Sequence, residues 1–258
     1  NDVSASKTMR TSSRENKTMT LFPEEPKTFE RLVNDRPITV REISCKTILH
    51  RSGLGDYALN CYVGCTHACG YCYARYMQRF HPHRESWGAF VDVKINAVEA
   101  LRRQLRTARP GAVFVSSACD GWQPIENEFS LTRECCRILS EHGFEIHALT
   151  KSNLILRDFD VLMPGRTRIA VTITSLDATL QQIWEPDAAP VSARLEIVKK
   201  AHAAGYKTGI MFGPILPFLF DTQEHVDRLM EAATSVGVNI IWVDAMNPRP
   251  KVWESVLT

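Results

Sequence analysis

The chain has 258 residues, of which 44% are hydrophobic, 23% charged and 9% aromatic. These values exclude collagen-like, low-complexity and wholly disordered classes. A formal net charge of +2 gives no molecule-wide field that would draw the protein onto nucleic acid or an anionic membrane.

Residues 1–36 are rich in Ser, Thr, Lys, Arg and Glu and poor in apolar positions, so they read as a polar tail that cannot bury enough surface to offset its ordering entropy. The chain opens on Asn1 with no secretory pattern, which is read as a trimmed start and a cytoplasmic location. Residues 37–56 read as an N-terminal extension packed on the core, and residues 57–258 as the main domain. Within it a first strand is expected at Tyr57–Tyr62, then a helix at Asn96–Thr107 with Ala97, Leu101 and Leu105 on one stripe and Arg102, Arg103, Arg106 and Arg109 turned outward. A strand at Ala112–Ser117 leads to a helix at Leu131–His142 that stops at Gly143, and strands follow at Glu145–Thr150 and Arg168–Thr174. A helix at Val191–Ala204 ends at Gly205, and a strand spans Lys207–Phe212. A helix at Thr222–Ser235 carries Val226, Leu229, Met230 and Ala233 before Gly237, and a last strand spans Asn239–Asp244. The strands are nearly continuous in apolar residues, which predicts burial on both faces. Strands alternating with helices predict parallel βα units. Six strands fall short of a closed eight-stranded barrel, so the expected fold is α/β, a partial (β/α)6 barrel or an open doubly wound sheet. The longest apolar run, Gly209 to Phe220, holds Pro214 and Pro217 and is too short and too broken to span a bilayer.

Eight cysteines are present, and four of them, Cys61, Cys65, Cys69 and Cys72, lie within twelve residues. Such clustering without a secretory signal points to metal rather than disulfides. Cys65-Thr-His-Ala-Cys69-Gly-Tyr-Cys72 is a C-x3-C-x2-C motif directly after the first strand, with Gly64 allowing the turn. Three thiolates from one short loop can hold three corners of a metal cluster and leave one metal position for an outside ligand. A four-cysteine zinc site including Cys61 is the alternative, though structural zinc usually pairs two C-x2-4-C knuckles and no second pair follows. The clusterless reading, four inert buried thiols, fits a Gly- and Tyr-bearing loop poorly. Cys135 and Cys136, in a helical run, read as core packing, and Cys45 as inert.

The motif and its place after the first strand resemble those of radical S-adenosylmethionine (SAM) enzymes. The resemblance extends to the spore photoproduct lyase-like branch, through Asn60-Cys-Tyr-Val-Gly-Cys65, Tyr71-Cys-Tyr-Ala-Arg75, Trp87-Gly, Val93-Lys-Ile-Asn96, Asp120-Gly-Trp-Gln-Pro-Ile-Glu126, Thr150-Lys-Ser152, Leu156-Arg-Asp158, Glu185-Pro186 and Gly213-Pro-Ile-Leu-Pro217, in order. It implies a radical-SAM partial barrel and a [4Fe-4S] cluster on Cys65, Cys69 and Cys72, with SAM on the fourth iron. It also implies reductive cleavage of SAM to methionine and a 5′-deoxyadenosyl radical, followed by hydrogen abstraction from a substrate. An external electron donor such as flavodoxin or ferredoxin is implied, as is lyase-type chemistry on a nucleic acid or nucleotide; a peptide or small metabolite stays open, and no membrane partner is expected.

The strand ends supply the remaining candidates. Ser116-Ser117-Ala-Cys119-Asp120 after the second strand is small and polar, suited to the methionine amino group. Lys151 after the third strand can pair with the SAM carboxylate. Thr174 and Ser175 after the fourth offer hydroxyls to ribose, and Tyr71 is similar to the family aromatic beside SAM. A cysteine near this strand end returns hydrogen to the product radical in the family's archetype. Cys119 is the candidate for that role, with Ser117 a competing occupant of the place and lining of the SAM pocket the alternative for Cys119. His67, Arg75, Arg79, His81, His83 and Arg84 form a cationic zone that could meet a phosphate-bearing substrate or an electron donor. Cys61 stands where the branch has proline, and Asp120-Gly-Trp replaces its Asp-Pro-Tyr. No counterpart of the archetype's DNA-contacting hairpin is recognisable, so thymine-dimer repair is not carried over. The rivals to a radical SAM enzyme are a zinc-stabilised binding protein and an iron–sulfur electron-transfer protein without radical chemistry.

Overall fold

The computed structural model describes residues 26–217, 219–248 and 250–257. The described chain opens with a hairpin, β1 (Thr28–Val33) paired antiparallel with β2 (Arg36–Ile43). Asn34 and Asp35 turn between them at φ 48° and 61°, the two positive dihedrals of a tight hairpin turn that Asn and Asp tolerate. This corrects the reading of residues 1–36 as a polar tail over its last nine positions. Phe29 is covered by the Lys27 and Arg31 cations at 5.1 and 4.3 Å, and Val33 reaches the core, so few apolar residues suffice to seat a strand whose partner is already anchored. Residues 1–25 of that reading lie outside the described residues.

β3 (Leu49–Arg51), β4 (Tyr57–Leu59), β5 (Tyr62–Val63) and β6 (Phe90–Lys94) follow, then α1 (Ala97–Leu105) and β7 (Ala112–Val115). Next come α2 (Glu126–Phe129), α3 (Leu131–Glu141), β8 (Glu145–Thr150), a 3-10 segment at Asn153–Asp160, β9 (Thr167–Ile173), α4 (Ala178–Trp184) and α5 (Val191–Ala203). β10 (Lys207–Ile215), α6 (Gln223–Ser235), β11 (Ile240–Ala245) and α7 (Pro250–Leu257) complete the chain. One sheet has the order β11-β10-β9-β8-β7-β4-β3, and a second has β1-β2-β6-β5. All six expected strands lie side by side, parallel and in sequence order, in the larger sheet. β3 closes one edge antiparallel to β4, and β11 is the other edge. The sheet is therefore the wall of a partial (β/α)6 barrel that does not close on itself. Among the described residues no helix is long and apolar enough to cross a membrane.

Two strands differ from the sequence expectation. The first was expected to run to Tyr62 but leaves the large sheet after Leu59. Asn60 there turns to other partners: its carbonyl accepts from Lys94 Nζ at 2.8 Å, and its side-chain oxygen accepts from Ala118 N at 2.8 Å. Tyr62 and Val63 then pair with β6 in the second sheet. Burial on both faces holds for β9, where Ile169 to Ile173 are all buried, whereas β8 alternates, with His147 and Leu149 half-buried between Ile146, Ala148 and Thr150. The helices α5 and α3 pack on these strands, and Val191, Ile197, Val198 and Ala201 supply the buried stripe of α5.

Because the six strands are parallel, the segments after β4, β7, β8, β9 and β10 all emerge at one end of the sheet, where barrel active sites assemble. The segment after β4 carries the cysteine motif. Its conformation depends on close backbone approach: Gly88, at φ +99°, lies so near Ala68 that a Cβ on it would stand 2.4 Å from the alanine methyl. Ala68 itself holds φ +55° in the middle of the cysteine loop, a strained choice for a non-glycine residue. Gly88→Ala adds both a clash and a disfavoured dihedral. Its expected effect is a loss of at least about 1 kcal/mol in urea unfolding; unchanged stability would show that the loop tolerates displacement.

Candidate active site

Residues Gly64 to Cys72 form a compact loop held by its own backbone, with Ala68 N donating to the Cys65 carbonyl at 3.3 Å and Cys72 N to the Cys69 carbonyl at 3.2 Å. Cys65, Cys69 and Cys72 are all free thiols, the first two buried and the third half-buried. Burial pushes all three up, Cys69 to about 12; Cys69 and Cys72 raise Cys65 further, and Cys72 raises Cys69. Loading a metal cluster must therefore displace protons from thiols. Cys61 does not join them. Its Sγ lies 3.8 Å from Cys135 Sγ in the core, because Asn60 and the short β5 turn the chain between Cys61 and the loop. A four-cysteine zinc site through Cys61 thus lacks its fourth ligand, and among the described residues no group of three or more His, Cys, Asp or Glu is gathered for a single ion. Zinc at a Zn–S distance of about 2.3 Å would need such a tight group. Three thiols around a larger iron–sulfur cluster, one per iron, suit the set that is present.

The loop is fastened to the sheet by Asp120. Its carboxylate accepts from Trp122 N at 2.9 Å, from Lys151 N at 2.7 Å, from Thr150 Oγ1 at 2.8 and 2.9 Å, and from His67 Nε2 at 3.1 Å. His67 sits between two of the motif cysteines, Trp122 follows β7, and Thr150 and Lys151 end β8. Burial opposes the charge on Asp120, but these donors, His67 foremost, hold it down at about 2. His67 Nδ1 faces the Asp187 carbonyl at 3.0 Å. Both ring nitrogens thus face oxygen atoms, which fixes the ring's orientation. Asp120, expected to touch SAM, is a fully engaged buried anchor.

A second network lies on the other side of the loop. Tyr71 donates its hydroxyl to Glu185 Oε1 and stands 3.1 Å from Thr174 Oγ1, and Thr174 Oγ1 donates to the Gly213 carbonyl at 3.0 Å. Arg194, fully buried, touches Glu185 Oε2 at 2.5 Å, off the line of a hydrogen bond, and donates to the Thr172 and Ala189 carbonyls at 3.0 and 2.7 Å. Burial resists the Glu185 charge, but Arg194 and Lys151 outweigh it and lower its pKa. The Lys151 ammonium lies over the Tyr71 ring at 5.7 Å. Burial works against its charge, yet Cys69, Glu185 and Cys72 raise its pKa overall, so it stays a cation facing the cysteine loop.

The remaining candidates divide. Ser117 is half-exposed at the β7 end, its Oγ accepting from Asn60 Nδ2 at 2.8 Å and its carbonyl from the Tyr73 hydroxyl. Cys119 is buried in the core, its thiol directed at Asn60 Oδ1 at 3.8 Å and pushed up to about 12 by burial. Ser175 is buried and its Oγ accepts from Asp177 N at 3.0 Å, so it shapes the turn after β9. The cationic zone read around His67–Arg84 is split up: His67 is on Asp120, His83 Nε2 and His81 Nδ1 face Asp92 at 2.8 and 3.5 Å, and Arg75 donates to the Cys69 carbonyl at 3.1 Å. Local pairing with buried carboxylates removes the single field that a reading of the sequence suggests. Glu185, Arg194, Asn60 and the role of His67 went unassigned from sequence. Arg194 did leave a signal, because it occupies the inward stripe of α5 with Val191, Ile197, Val198 and Ala201, where a charge needs a buried partner.

Two expectations follow. Arg194→Met leaves the buried Glu185 charge without its guanidinium partner, so unfolding stability should fall by about 3 kcal/mol, with Arg194→Met/Glu185→Gln recovering part of it; equal stability of the single variant and the parent would contradict the pairing. For Asp120, the folded pKa of about 2 lies below its ordinary 3.8. Its contribution is therefore complete above about pH 4 and is lost as pH falls through about 2. Asp120→Asn should cost about 2 kcal/mol at neutral pH, with the difference from the parent closing in acid; a difference independent of pH would refute the carboxylate's role.

Comparison with known proteins places these features in a family. The chain matches the radical SAM superfamily profile over residues 59–233. It is 32% identical over 168 residues to an uncharacterized protein of Methanocaldococcus jannaschii, covering 65% of this chain and 63% of that one. With an uncharacterized protein of Mycobacterium tuberculosis it shares 30% identity over 227 residues, 82% of this chain and 66% of the relative. The chain therefore spans less than two-thirds of the length of these curated relatives. Its fold is similar to that of spore photoproduct lyase complexed with dinucleoside spore photoproduct, with a TM-score of 0.65, 16% identity, and coverage of 84% of this chain and 65% of that chain. A variant of that lyase with bound AdoMet and the same dinucleoside gives a TM-score of 0.66 at 15% identity, covering 84% and 64%. At such identities the likeness to the lyase is one of fold. The profile covers more than half of the chain and includes the cysteine loop and the parallel strands that carry its anchors: the chain belongs to the radical SAM superfamily.

Proposed function

We propose that this chain is a radical SAM enzyme in which Cys65, Cys69 and Cys72 hold a [4Fe-4S] cluster and the open iron takes SAM. The observation that carries this reading is the meeting of three free, largely buried cysteines on one loop at the carboxyl end of the first parallel strand. When bound, the cluster and SAM supply one-electron cleavage to methionine and a 5′-deoxyadenosyl radical, the reducing electron coming from an external donor such as flavodoxin or ferredoxin.

The chain's own residues bind and position. Lys151 holds a cation over Tyr71, placed to pair with the SAM carboxylate. Its ammonium has no hydrogen-bond partner of its own among the described residues, whereas its backbone N–H is fixed on Asp120. Tyr71 is held by Glu185 and Thr174, so its ring orientation is set before any ligand arrives. Ser117 presents its hydroxyl at the half-exposed end of β7. The burial of Cys119 against Asn60 favours a lining role for that residue over hydrogen donation.

For the substrate we infer a nucleotide or nucleic acid, processed by lyase-type chemistry. The dinucleoside bound to the fold neighbour supports this, as does an aromatic surface next to the cysteine loop: Tyr73 and Tyr76 stack at 6.4 Å and 17°, Phe80 meets Tyr76 edge-on, and Phe80 is 69% exposed. Such rings offer stacking platforms to bases.

The test is anaerobic reconstitution with iron and sulfide, reduction by dithionite with SAM, and chromatography for 5′-deoxyadenosine. The expected result is product that requires reductant and disappears in Cys69→Ala. Lys151→Ala should keep its iron and weaken SAM binding about 10- to 100-fold, the loss of one charge-assisted contact. A Cys69→Ala protein that retains four irons and full cleavage would overturn the proposal.

A further inference from the structure

The β3 edge of the large sheet is strongly cationic. Residues 44–59 and 96–112, which hold β3, β4 and α1, contain Lys46, Arg51, Arg102, Arg103, Arg106 and Arg109 against two carboxylates, Asp56 and Glu99. In a chain whose net charge is +2 this is a local excess. All six cations are exposed. Arg102 has Glu134 at 3.4 Å, while the other five side chains make no hydrogen bond or ion pair among the described residues. They contrast with Arg41, held on Asp92 at 2.8 Å, and Arg133, held on Asp160 at 2.5 Å.

Local geometry gathers these cations on one surface. The Gln104 side chain of α1 accepts from the Ile48 and Leu49 N–H groups at 2.8 and 2.9 Å and donates to the Leu49 carbonyl at 2.7 Å, so the helix is stapled to β3. At the end of the sheet away from the cysteine loop, Arg51 and Arg109 line one surface cavity of about 310 Å³ together with Thr107 and Tyr57. The Arg51 guanidinium lies over the Tyr57 ring at 4.7 Å, and the Tyr57 hydroxyl donates to the Arg109 carbonyl at 3.1 Å, which fixes the two arginines beside each other. At the cysteine-loop end, Asn96 brackets the backbone of Cys45, the neighbour of Lys46, with bonds of 2.8 and 3.0 Å. Lys94 there donates to the Asn60 carbonyl at 2.8 Å, and Asn60 Nδ2 reaches Ser117 Oγ. The cations therefore run from the barrel mouth along the β3 edge to Arg51 and Arg109.

Guanidinium groups pair with phosphate through two parallel N–H donors. Single-stranded nucleic acid is held by a cationic surface that follows its backbone and by aromatic rings that take its bases. Tyr73 supplies such a ring at the mouth, its hydroxyl on the Ser117 carbonyl and its face on Tyr76. We propose that the β3–α1 surface holds the phosphate backbone of a single-stranded nucleic acid, with Arg51 and Arg109 clamping one phosphodiester at its far end. The inference rests on the substrate class given above and deepens it by giving the polymer a path away from the mouth. An acidic electron donor fits less well, because it must approach the cluster, whereas Arg51 and Arg109 stand at the opposite end of the strands.

The experiment measures, by fluorescence anisotropy, binding of a fluorescein-labelled single-stranded RNA oligonucleotide to the full chain over a series of KCl concentrations. Arg51→Gln/Arg109→Gln should weaken binding about 10-fold at low salt and make the slope of log K against log salt shallower by about 1.4, because two fewer phosphates are neutralised. Arg103→Gln/Arg106→Gln, confined to the exposed face of α1, should act in the same direction without touching the Tyr57 contact. Lys199→Gln/Lys207→Gln, which removes equal charge from α5 and β10, should bind as the parent does. RNA binding unchanged in both arginine variants, or weakened equally in the lysine variant, would overturn the proposal. Arginine variants that keep RNA binding but lose retention of flavodoxin would assign the surface to an acidic protein and overturn it too. A parent that binds no RNA overturns the nucleic-acid substrate reading along with the surface, whereas a parent that binds while the arginine variants are unaffected overturns the surface alone.

Discussion

One carboxylate ties this site together. Asp120 gathers donors from the cysteine loop, from the segment after β7 and from the end of β8, so three pieces of chain distant in sequence meet at one buried anion. The cysteine loop contains no regular secondary structure between Val63 and Cys72 other than its turns, and Ala68 sits in a disfavoured dihedral. Such a loop keeps one conformation only if its surroundings over-determine it. His67 on Asp120, Thr66 N on Gln123 Oε1 at 2.9 Å and Gly88 against Ala68 provide that constraint.

A second buried anion, Glu185, plays the corresponding part for Tyr71. It is flanked by the Arg194 and Lys151 cations, and its charge is kept by them despite burial. Buried charges are costly unless paired, so each network is stable only as a complete set. The consequence for chemistry is preorganisation. Tyr71, Lys151 and the three cysteines are held by contacts that do not need a ligand, and the ligand therefore meets groups already in place. Among the described residues the Lys151 ammonium, over the Tyr71 ring beside the cysteine loop, makes no hydrogen bond, and burial favours the protonated thiols of Cys65, Cys69 and Cys72.

The elements of the barrel were legible in the sequence because most of its strands carry a nearly continuous apolar run, and the longer helices a stripe at a period near 3.6. Six parallel strands in sequence order follow from that alternation and from the right-handed preference of parallel crossovers. The β1–β2 hairpin was missed because its strand is mostly polar and depends on cations lying over Phe29. α4 was missed because it is seven residues long and its apolar Leu180, Ile183 and Trp184 fall within five residues, too short a window for a helical period to show.

The site divides along the same line. Cys65, Cys69 and Cys72 were readable from spacing alone, since ligands within eight residues on one turn must stay near one another whatever the fold. Lys151, Ser117 and Thr174 were readable as strand-end residues. Which of these remain available to a ligand is a matter of tertiary partners: Asp120 is consumed by five donor contacts, Ser175 by its own turn, Cys119 by the core, and Cys61 by Cys135. Local sequence determines the type and order of elements because propensity and periodicity act over a few residues. The pairing of His67 with Asp120 and of Glu185 with Arg194 joins positions up to 53 residues apart, and only the packed barrel brings such positions within reach of one another.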